Sequence, residues 1–259
     1  MITLASDFGT PYPAAMKGAI LKRCDARLVD VAHDFPRQDV RAAAFWLTQV
    51  LPEFPPSVHL VVVDPGVGTD RDALVIRAGD HLLVGPDNGV LLPPARELAS
   101  GGNGDDYETD IDAYELEVED PRSSTFHGRD VFAPAAAAVH EAGIDRLPEV
   151  DGVTPAEDVT DLRLPDPELG ENGATGEILA IDDFGNTITN VPGDVVDGRD
   201  TVRVDGEKVP VVASYAHAEV GQRVVTVGSH DNVEFAVNQG RGDEAFGFPV
   251  GDSVRIEWA

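Results

Sequence analysis

The chain has 259 residues, 42% of them hydrophobic, enough to bury a sizeable core in one large domain or in a medium domain followed by a small one. Its 47 acidic residues against 19 basic ones give a formal net charge of −28, which argues against nucleic acid as a partner. A single cysteine, Cys24, excludes an internal disulfide framework and any multi-cysteine metal site, and agrees with a reducing compartment.

No apolar run reaches the roughly eighteen residues of a membrane span, and the start, Met1-Ile2-Thr3-Leu4-Ala5, passes into Asp7 without a basic leader. The expectation is a cytoplasmic protein with no membrane contact. Self-repulsion at this charge costs stability in dilute buffer, but the Debye length shrinks to about 3 Å at 1 M salt and screens it. The composition therefore points to a halophilic host. The same screening removes long-range steering, so the acidic surface is not explained as a lure for a cationic ligand.

Residues 1–6 read as a strand ending at Asp7-Phe8-Gly9-Thr10, followed by a helix over 14–24, a short strand over 27–31 and an amphipathic helix over 40–51. Residues 59–63 form a wholly apolar strand that closes on Asp64-Pro65-Gly66-Val67-Gly68-Thr69. Apolar strands between helices predict an α/β domain with a mainly parallel central sheet covered on both faces. Segments 73–78 and 81–84 suit a hairpin turning at Gly79-Asp80, and 131–142 is an alanine-rich helix. The Gly-, Asn- and Asp-rich stretch 100–112 reads as a surface loop.

A second shift in composition falls at 164–176, where Pro165, Pro167, Gly170, Gly173 and Gly176 separate acidic and small residues. It divides the chain into an α/β domain over 1–165, a linker over 166–176 and a third part over 177–259. That part carries short alternating strands at 177–181, 201–204, 223–227, 233–237 and 253–258, the pattern of a small antiparallel β-barrel.

In an open α/β sheet ligands gather at the carboxyl ends of strands, where Asp7 and Asp64 both stand. Position alone leaves each open to helix capping as well as to ligand binding. The loop 64–69 lacks the Gly-Lys-Ser/Thr ending of a phosphate-binding loop, no Gly-x-Gly-x-x-Gly follows a strand, and the histidines are too scattered for a zinc site. No cofactor and no metal are expected. The polar run Ser123-Ser124-Thr125-Phe126-His127-Gly128-Arg129-Asp130 places a histidine beside a glycine where a ligand can approach the backbone, although a lone loop histidine is ordinarily a surface or capping residue.

Four segments taken in order change that balance. They are Ser6-Asp7-Phe8-Gly9-Thr10 with Met16-Lys17-Gly18, Val63–Thr69 with Arg71, Phe126–Pro134, and Ile181-Asp182-Asp183-Phe184-Gly185-Asn186. Together they resemble the S-adenosyl-L-methionine (SAM) hydroxide adenosyltransferase family, relatives of enzymes that attack the same carbon with fluoride or chloride. The resemblance implies hydrolysis of SAM to adenosine and L-methionine, with water attacking the ribose 5′ carbon. It also implies a homotrimer of two-domain subunits, each active site lying at a subunit interface between one N-terminal domain and the neighbour's barrel. The family's water-activating set maps onto Asp64, Arg71 and His127. Asp7 matches the carboxylate that grips the ribose hydroxyls, Asp182 the group that receives the methionine ammonium, and Phe184 and Asn186 adenine contacts. Tyr215 matches the aromatic that stacks on adenine, and Ser229 with His230 lies where the family meets the methionine end.

One departure from the family is a shortened loop between Gly9 and Tyr12 without the acidic residue often found there, so that a ribose or amino-acid contact is either missing or supplied by Asp34 or Asp39. Two other readings compete. A SAM-dependent halogenase is opposed by Asp64 and His127, which the halogenating relatives lack, and a non-catalytic SAM or adenosine sensor is opposed by retention of all three catalytic-type residues.

The charge excess has a direct consequence. Raising KCl from about 0.1 M to about 2 M is expected to raise the melting temperature by several degrees, followed by circular dichroism; a melting temperature indifferent to salt would remove the argument for a halophilic host.

Overall fold

The computed structural model describes residues 1–100, 110–117 and 122–258. The chain divides into two compact units, Met1–Leu164 and Pro165–Ala259. The first contains, in order, β1 (Ile2–Ser6), α1 (Tyr12–Leu21), β2 (Leu28–Ala32), α2 (Val40–Val50), β3 (Val58–Val62), β4 (Ala73–Ala78), β5 (His81–Pro86), α3 (Leu92–Ser100), β6 (Ile111–Leu116), α4 (Ala133–Ala142) and β7 (Val153–Pro155).

These strands form one sheet in the order β2-β1-β3-β5-β4-β6-β7. The pairs β2–β1, β1–β3 and β3–β5 are parallel, whereas β5–β4, β4–β6 and β6–β7 are antiparallel. The sheet is therefore mixed, not mainly parallel as its apolar strands suggested. The tight turn at Gly79-Asp80 sends β5 back along β4, and β6 and β7 extend that antiparallel half.

Alternation along the strands feeds two cores. Leu4, Leu60, Val62 and Val84 pack on one face against Met16 and Ile20 of α1 and Ala136 of α4. Ala5, Val61, Ile76 and Leu83 pack on the other against Ala43, Ala44 and Leu47 of α2 and Ala95 of α3. With helices on both faces, β1 and β3 are buried at every residue.

Local chemistry explains where the elements begin. α1 starts at Tyr12 because Pro13 is tolerated in a first turn. α2 is capped by Asp39, whose Oδ1 accepts the Ala42 N–H at 2.9 Å. That bond engages one oxygen of Asp39 in capping its helix. α3 went unread in the sequence because Pro93 and Pro94 look like breakers, yet both stand in its first turn. Of the expected surface loop over 100–112, Ser100 ends α3 and residues 111 and 112 open β6, while 101–109 lie outside the described residues.

The second unit contains β8 (Glu168–Gly170), β9 (Gly173–Ile181), β10 (Thr187–Pro192), β11 (Thr201–Val204), β12 (Glu207–Pro210), β13 (Arg223–Val227), β14 (Asn232–Val237), α5 (Gly242–Phe246) and β15 (Ser253–Trp258). They form an antiparallel sheet in the order β12-β11-β15-β9-β10-β14-β13, with β8 on β9. A bridge between Val211, just after β12, and Val225 of β13 brings the two edges together, so the sheet is nearly closed and barrel-like. Val202, Val204, Val225, Val233, Phe235 and Ile256 fill its core.

The segment expected as a linker is largely strand. β8 and the start of β9 make a hairpin, with Gly170 opposite Gly173, and β9 continues against β15 through Gly176. Glycines that resemble a linker here sit in strands that approach their neighbours closely.

One buried polar chain crosses the parallel half of the first sheet. Thr3 Oγ1 lies 2.8 Å from His59 Nδ1, and His59 Nε2 lies 2.8 Å from His81 Nδ1. Burial holds the His59 pKa down at about 3, with the neighbouring His81 adding to the effect, and burial also lowers that of His81. The unfolded chain therefore binds more protons than the folded one once pH falls below the ordinary histidine value near 6.5. Stability linked to His59 is complete above that value and is lost as pH falls toward 3, at up to about 1.4 kcal/mol per pH unit for each proton. Urea unfolding of the wild type and His59→Gln between neutral pH and about pH 4.5 is expected to show a shallower acid loss in the variant, by about one proton. Equal slopes would mean that His59 takes no part.

Candidate active site

Asp7 and Asp64 follow β1 and β3, adjacent parallel strands paired from Ile2–Val58 to Ser6–Val62. Two carboxylates thus emerge side by side at the carboxyl edge of the sheet. Asp7 is buried and its Oδ2 accepts the Gln38 N–H at 2.7 Å. Just before it, fully buried Ser6 lies 2.8 Å from His33 Nδ1, and His33 Nε2 lies 2.9 Å from Asp30 Oδ1. Asp30 also accepts from Lys17 Nζ at 2.5 Å. This chain of contacts fastens the segment carrying Asp7 to β2 and α1.

Asp64 is held differently. Arg71 Nε donates to its Oδ1 at 2.7 Å and Arg71 Nη2 donates to its Oδ2, a bidentate pair across the loop between β3 and β4. Arg71 Nη1 donates to the Asp72 carbonyl at 2.7 Å, and the guanidinium lies over the Phe132 ring, 5.1 Å from its centre. The Asp64 side chain is 3% exposed and that of Arg71 13%. Three of the five guanidinium N–H donors are engaged in these bonds; Nη1 and Nη2 each carry one more.

The loop that makes this pair is folded by its own glycines. Thr69 N–H and Thr69 Oγ1 both donate to the Gly66 carbonyl, at 3.1 and 2.7 Å. Gly68 has φ +81°, and a Cβ there would stand 2.7 Å from the Ser124 carbonyl oxygen. Only glycine allows both the turn and that approach. The approach seats the 64–71 loop against the segment that carries His127.

His127 is buried and immediately precedes a π-helical turn, Gly128–Phe132, that runs into α4. Such turns are rare and recur at functional sites. His127 and Arg71 line one cavity of about 680 Å³, with Gly68, Ser124, Phe132 and Thr154 among its walls. Asp64 is not among the lining residues, because the guanidinium covers it. A larger recess of about 1310 Å³ on the same unit, lined by Lys22, Arg23, Arg122 and Arg129 among others, contains none of the expected site residues.

The remaining expected residues belong to the second unit. In the turn between β9 and β10, Asp182 Oδ1 accepts the Asn186 N–H at 2.8 Å and Oδ2 accepts Asn186 Nδ2 at 2.9 Å. Asn186 Nδ2 also lies 3.4 Å from the Tyr215 hydroxyl, which donates to Glu234 Oε1 at 2.5 Å. His230 Nε2 stands 3.6 Å from Glu234 Oε2. Asp182, Asn186, Tyr215 and His230 are thus brought into one network. Phe184 stands outside it at 80% exposure, and Ser229 is exposed beside His230.

Glu234, the hub of this network, was missed in the sequence. A glutamate between Val233 and Phe235 in a short strand reads as a solvent-facing position, and nothing nearby marks it as buried. Burial raises its pKa and so does the charge of Asp182, while the Tyr215 hydrogen bond opposes them. Burial lowers the pKa of His230 against the pull of Asp182 and Asp231. Burial and the bond to Glu234 push the Tyr215 hydroxyl up, so it remains a donor throughout the neutral range.

Comparison with known proteins agrees with both units. Residues 2–147 match the SAM hydroxide adenosyltransferase N-terminal domain and residues 176–255 its C-terminal domain. A protein of Salinispora tropica named (R)-S-adenosyl-L-methionine hydrolase is 38% identical over 98% of this chain and 97% of its own. One of the same name from Thermus thermophilus is 40% identical over 97% of each. An uncharacterized conserved protein from Thermotoga maritima, of known crystal structure, superposes with a TM-score of 0.85 at 32% identity, covering 99% of this chain and 100% of that one. A conserved hypothetical protein from Thermus thermophilus gives 0.72 at 35% identity, over 98% of each. With both family domains matched in order, the chain belongs to the SAM hydroxide adenosyltransferase family.

Proposed function

We propose that this protein hydrolyses SAM to adenosine and L-methionine. The observation that carries the reading is that Arg71, gripped bidentately by Asp64, lines one cavity with His127, in a chain whose relatives bear the name (R)-S-adenosyl-L-methionine hydrolase. The same name points to the R configuration at the sulfonium as the preferred epimer.

In this reaction the water oxygen bonds to the ribose 5′ carbon as the C–S bond breaks. The bonding pair goes to sulfur, methionine leaves as a neutral thioether, and one proton is released from the water. The leaving group needs no acid. The water needs orientation and a destination for its proton, since free water has a pKa of about 15.7. The second N–H groups of Arg71 suit the developing hydroxide. Asp64, with both oxygens engaged by Arg71, acts as the residue that orients the guanidinium. His127 is the group at the cavity with a nitrogen able to take the proton. Asp7 holds the ribose hydroxyls, Asp182 receives the methionine ammonium, and Phe184, Asn186 and Tyr215 meet adenine, with Ser229 and His230 toward the methionine end.

The catalytic set belongs to the first unit and the adenine and methionine contacts to the second, so one substrate needs both. We place the second unit in a neighbouring subunit of a homotrimer, with the site at the interface. Light scattering is expected to give three times the 27.5 kDa chain mass; an active monomer would overturn the trimer.

The test of the reaction is incubation of each sulfonium epimer in high salt, with chloride replaced by acetate in a parallel sample. Adenosine and methionine in both samples, faster from the R epimer, are expected. Appearance of 5′-chloro-5′-deoxyadenosine with chloride would identify a halogenase, and bound but intact SAM would identify a sensor. Arg71→Ala and His127→Ala are each expected to lower kcat about 100-fold or more, with KM changed far less. Equal losses in kcat and affinity would contradict these roles.

A further inference from the structure

Glu234 carries a structural oddity that the catalytic reading does not use. It sits in the middle of β14, opposite Ile188 of β10 and Thr226 of β13, on a strand flanked on both sides. Its neighbours Val233 and Phe235 point into the barrel core, so its own side chain points to the opposite face. It is nevertheless only 3% exposed. A carboxylate is costly in such a place unless its partners repay desolvation.

Its cover comes from two loops. The turn Gly228–His230 lies against the carboxylate so closely that any side chain at Gly228 would collide with Glu234 and with the His230 ring. The other cover is Tyr215, on a single 3-10 turn, Tyr215–His217, whose residues are all exposed. The Tyr215 ring stands out from that turn with the residue 38% exposed, while its hydroxyl reaches inward to Glu234 at 2.5 Å. Asn186, itself held by Asp182, reaches the same hydroxyl at 3.4 Å. The phenol is thus fixed at its hydroxyl end, while the residue as a whole stays partly exposed.

We infer that Glu234 is a positioning residue for adenosyl recognition: by accepting the Tyr215 hydroxyl it fixes the ring of an otherwise exposed turn in the orientation that receives the adenine face. The inference rests on the reading of the second unit as the adenosine-binding part. Ordering the ring before the ligand arrives removes that entropy cost from binding. The bond is made to a buried carboxylate, which places it among the stronger hydrogen bonds. Tyr215 remains protonated at neutral pH, so the donor is always present.

The experiment uses the full chain and three variants, with adenosine affinity read by calorimetry and SAM turnover read separately. Tyr215→Phe keeps the ring and removes the donor; Glu234→Leu removes the acceptor; Glu234→Gln keeps an acceptor oxygen without the charge. Tyr215→Phe and Glu234→Leu are each expected to weaken adenosine about tenfold and to raise KM by a similar factor, with kcat changed less. The double variant should be no weaker than either single one. Glu234→Gln should recover most of the affinity, which a loss of general packing would not do.

Unchanged adenosine affinity in Tyr215→Phe, which keeps the fold even if Glu234→Leu does not, would overturn the inference. So would additive losses in the double variant, or a wild type that binds no adenosine. A wild type that binds adenosine and leaves SAM intact would defeat hydrolysis as the function, while the affinities of the variants would still decide the role of Glu234.

Discussion

Two neighbouring strands, β1 and β3, are buried at every residue and lead into aspartates just beyond their ends, and the placement of the proposed chemistry follows from that. A strand covered on both faces cannot slip in register without exposing its apolar side chains or burying polar ones. Fixing β1 against β3 from Ile2–Val58 to Ser6–Val62 therefore fixes where Asp7 and Asp64 emerge. The two acids are then secured by different means. Asp7 takes a backbone N–H from Gln38 and follows a serine tied to His33, whereas Asp64 takes a guanidinium in a bidentate grip. One is anchored by the scaffold and the other anchors a side chain that lines a cavity.

What the sequence made legible divides along the same line. β1, β3 and the hairpin turning at Gly79-Asp80 were readable because apolar runs and turn residues are local signals. The parallel half of the sheet was readable for the same reason. Beyond the β4–β5 hairpin the antiparallel half was not, because β6 borders a stretch read as a loop, β7 has only three residues, and the partners of both are set by tertiary pairing. α3 was hidden by prolines that are harmless in a first turn, and the β8–β9 hairpin by glycines that resemble a linker. In each miss the residue type was recognised, but its place within the element decides its effect.

The site shows the same split between local and distant information. Asp64, Arg71 and His127 stand in ordered motifs that carry the family resemblance, and the matched family domains support it. That Asp64 is covered by Arg71 could not be read from the motif, since it depends on the loop closing through Gly68 onto Ser124. Glu234 lies further from reach. Its burial depends on two loops, around Tyr215 and Gly228, that return to β14 from different parts of the barrel. A strand pattern reports which face a residue takes, not what later covers that face.

The covering of Asp64 also bears on a difficulty in the proposed chemistry. The substrate is a sulfonium cation, and an isolated arginine near its reacting carbon would repel it. Paired with Asp64, the guanidinium has no net charge at a distance, so the approach of the cation meets little opposition. At short range the pair is not neutral: the N–H groups turned away from Asp64 still carry positive partial charge and still aim outward. In the proposed reaction the attacking water would meet those dipoles at short range, while the sulfonium, on the far side of the 5′ carbon, would feel the sum of both charges. As the C–S bond breaks, the positive charge on sulfur disappears and any residual repulsion disappears with it. An aspartate–arginine pair thus reconciles binding a cation with stabilising an incipient hydroxide, which neither side chain would do alone.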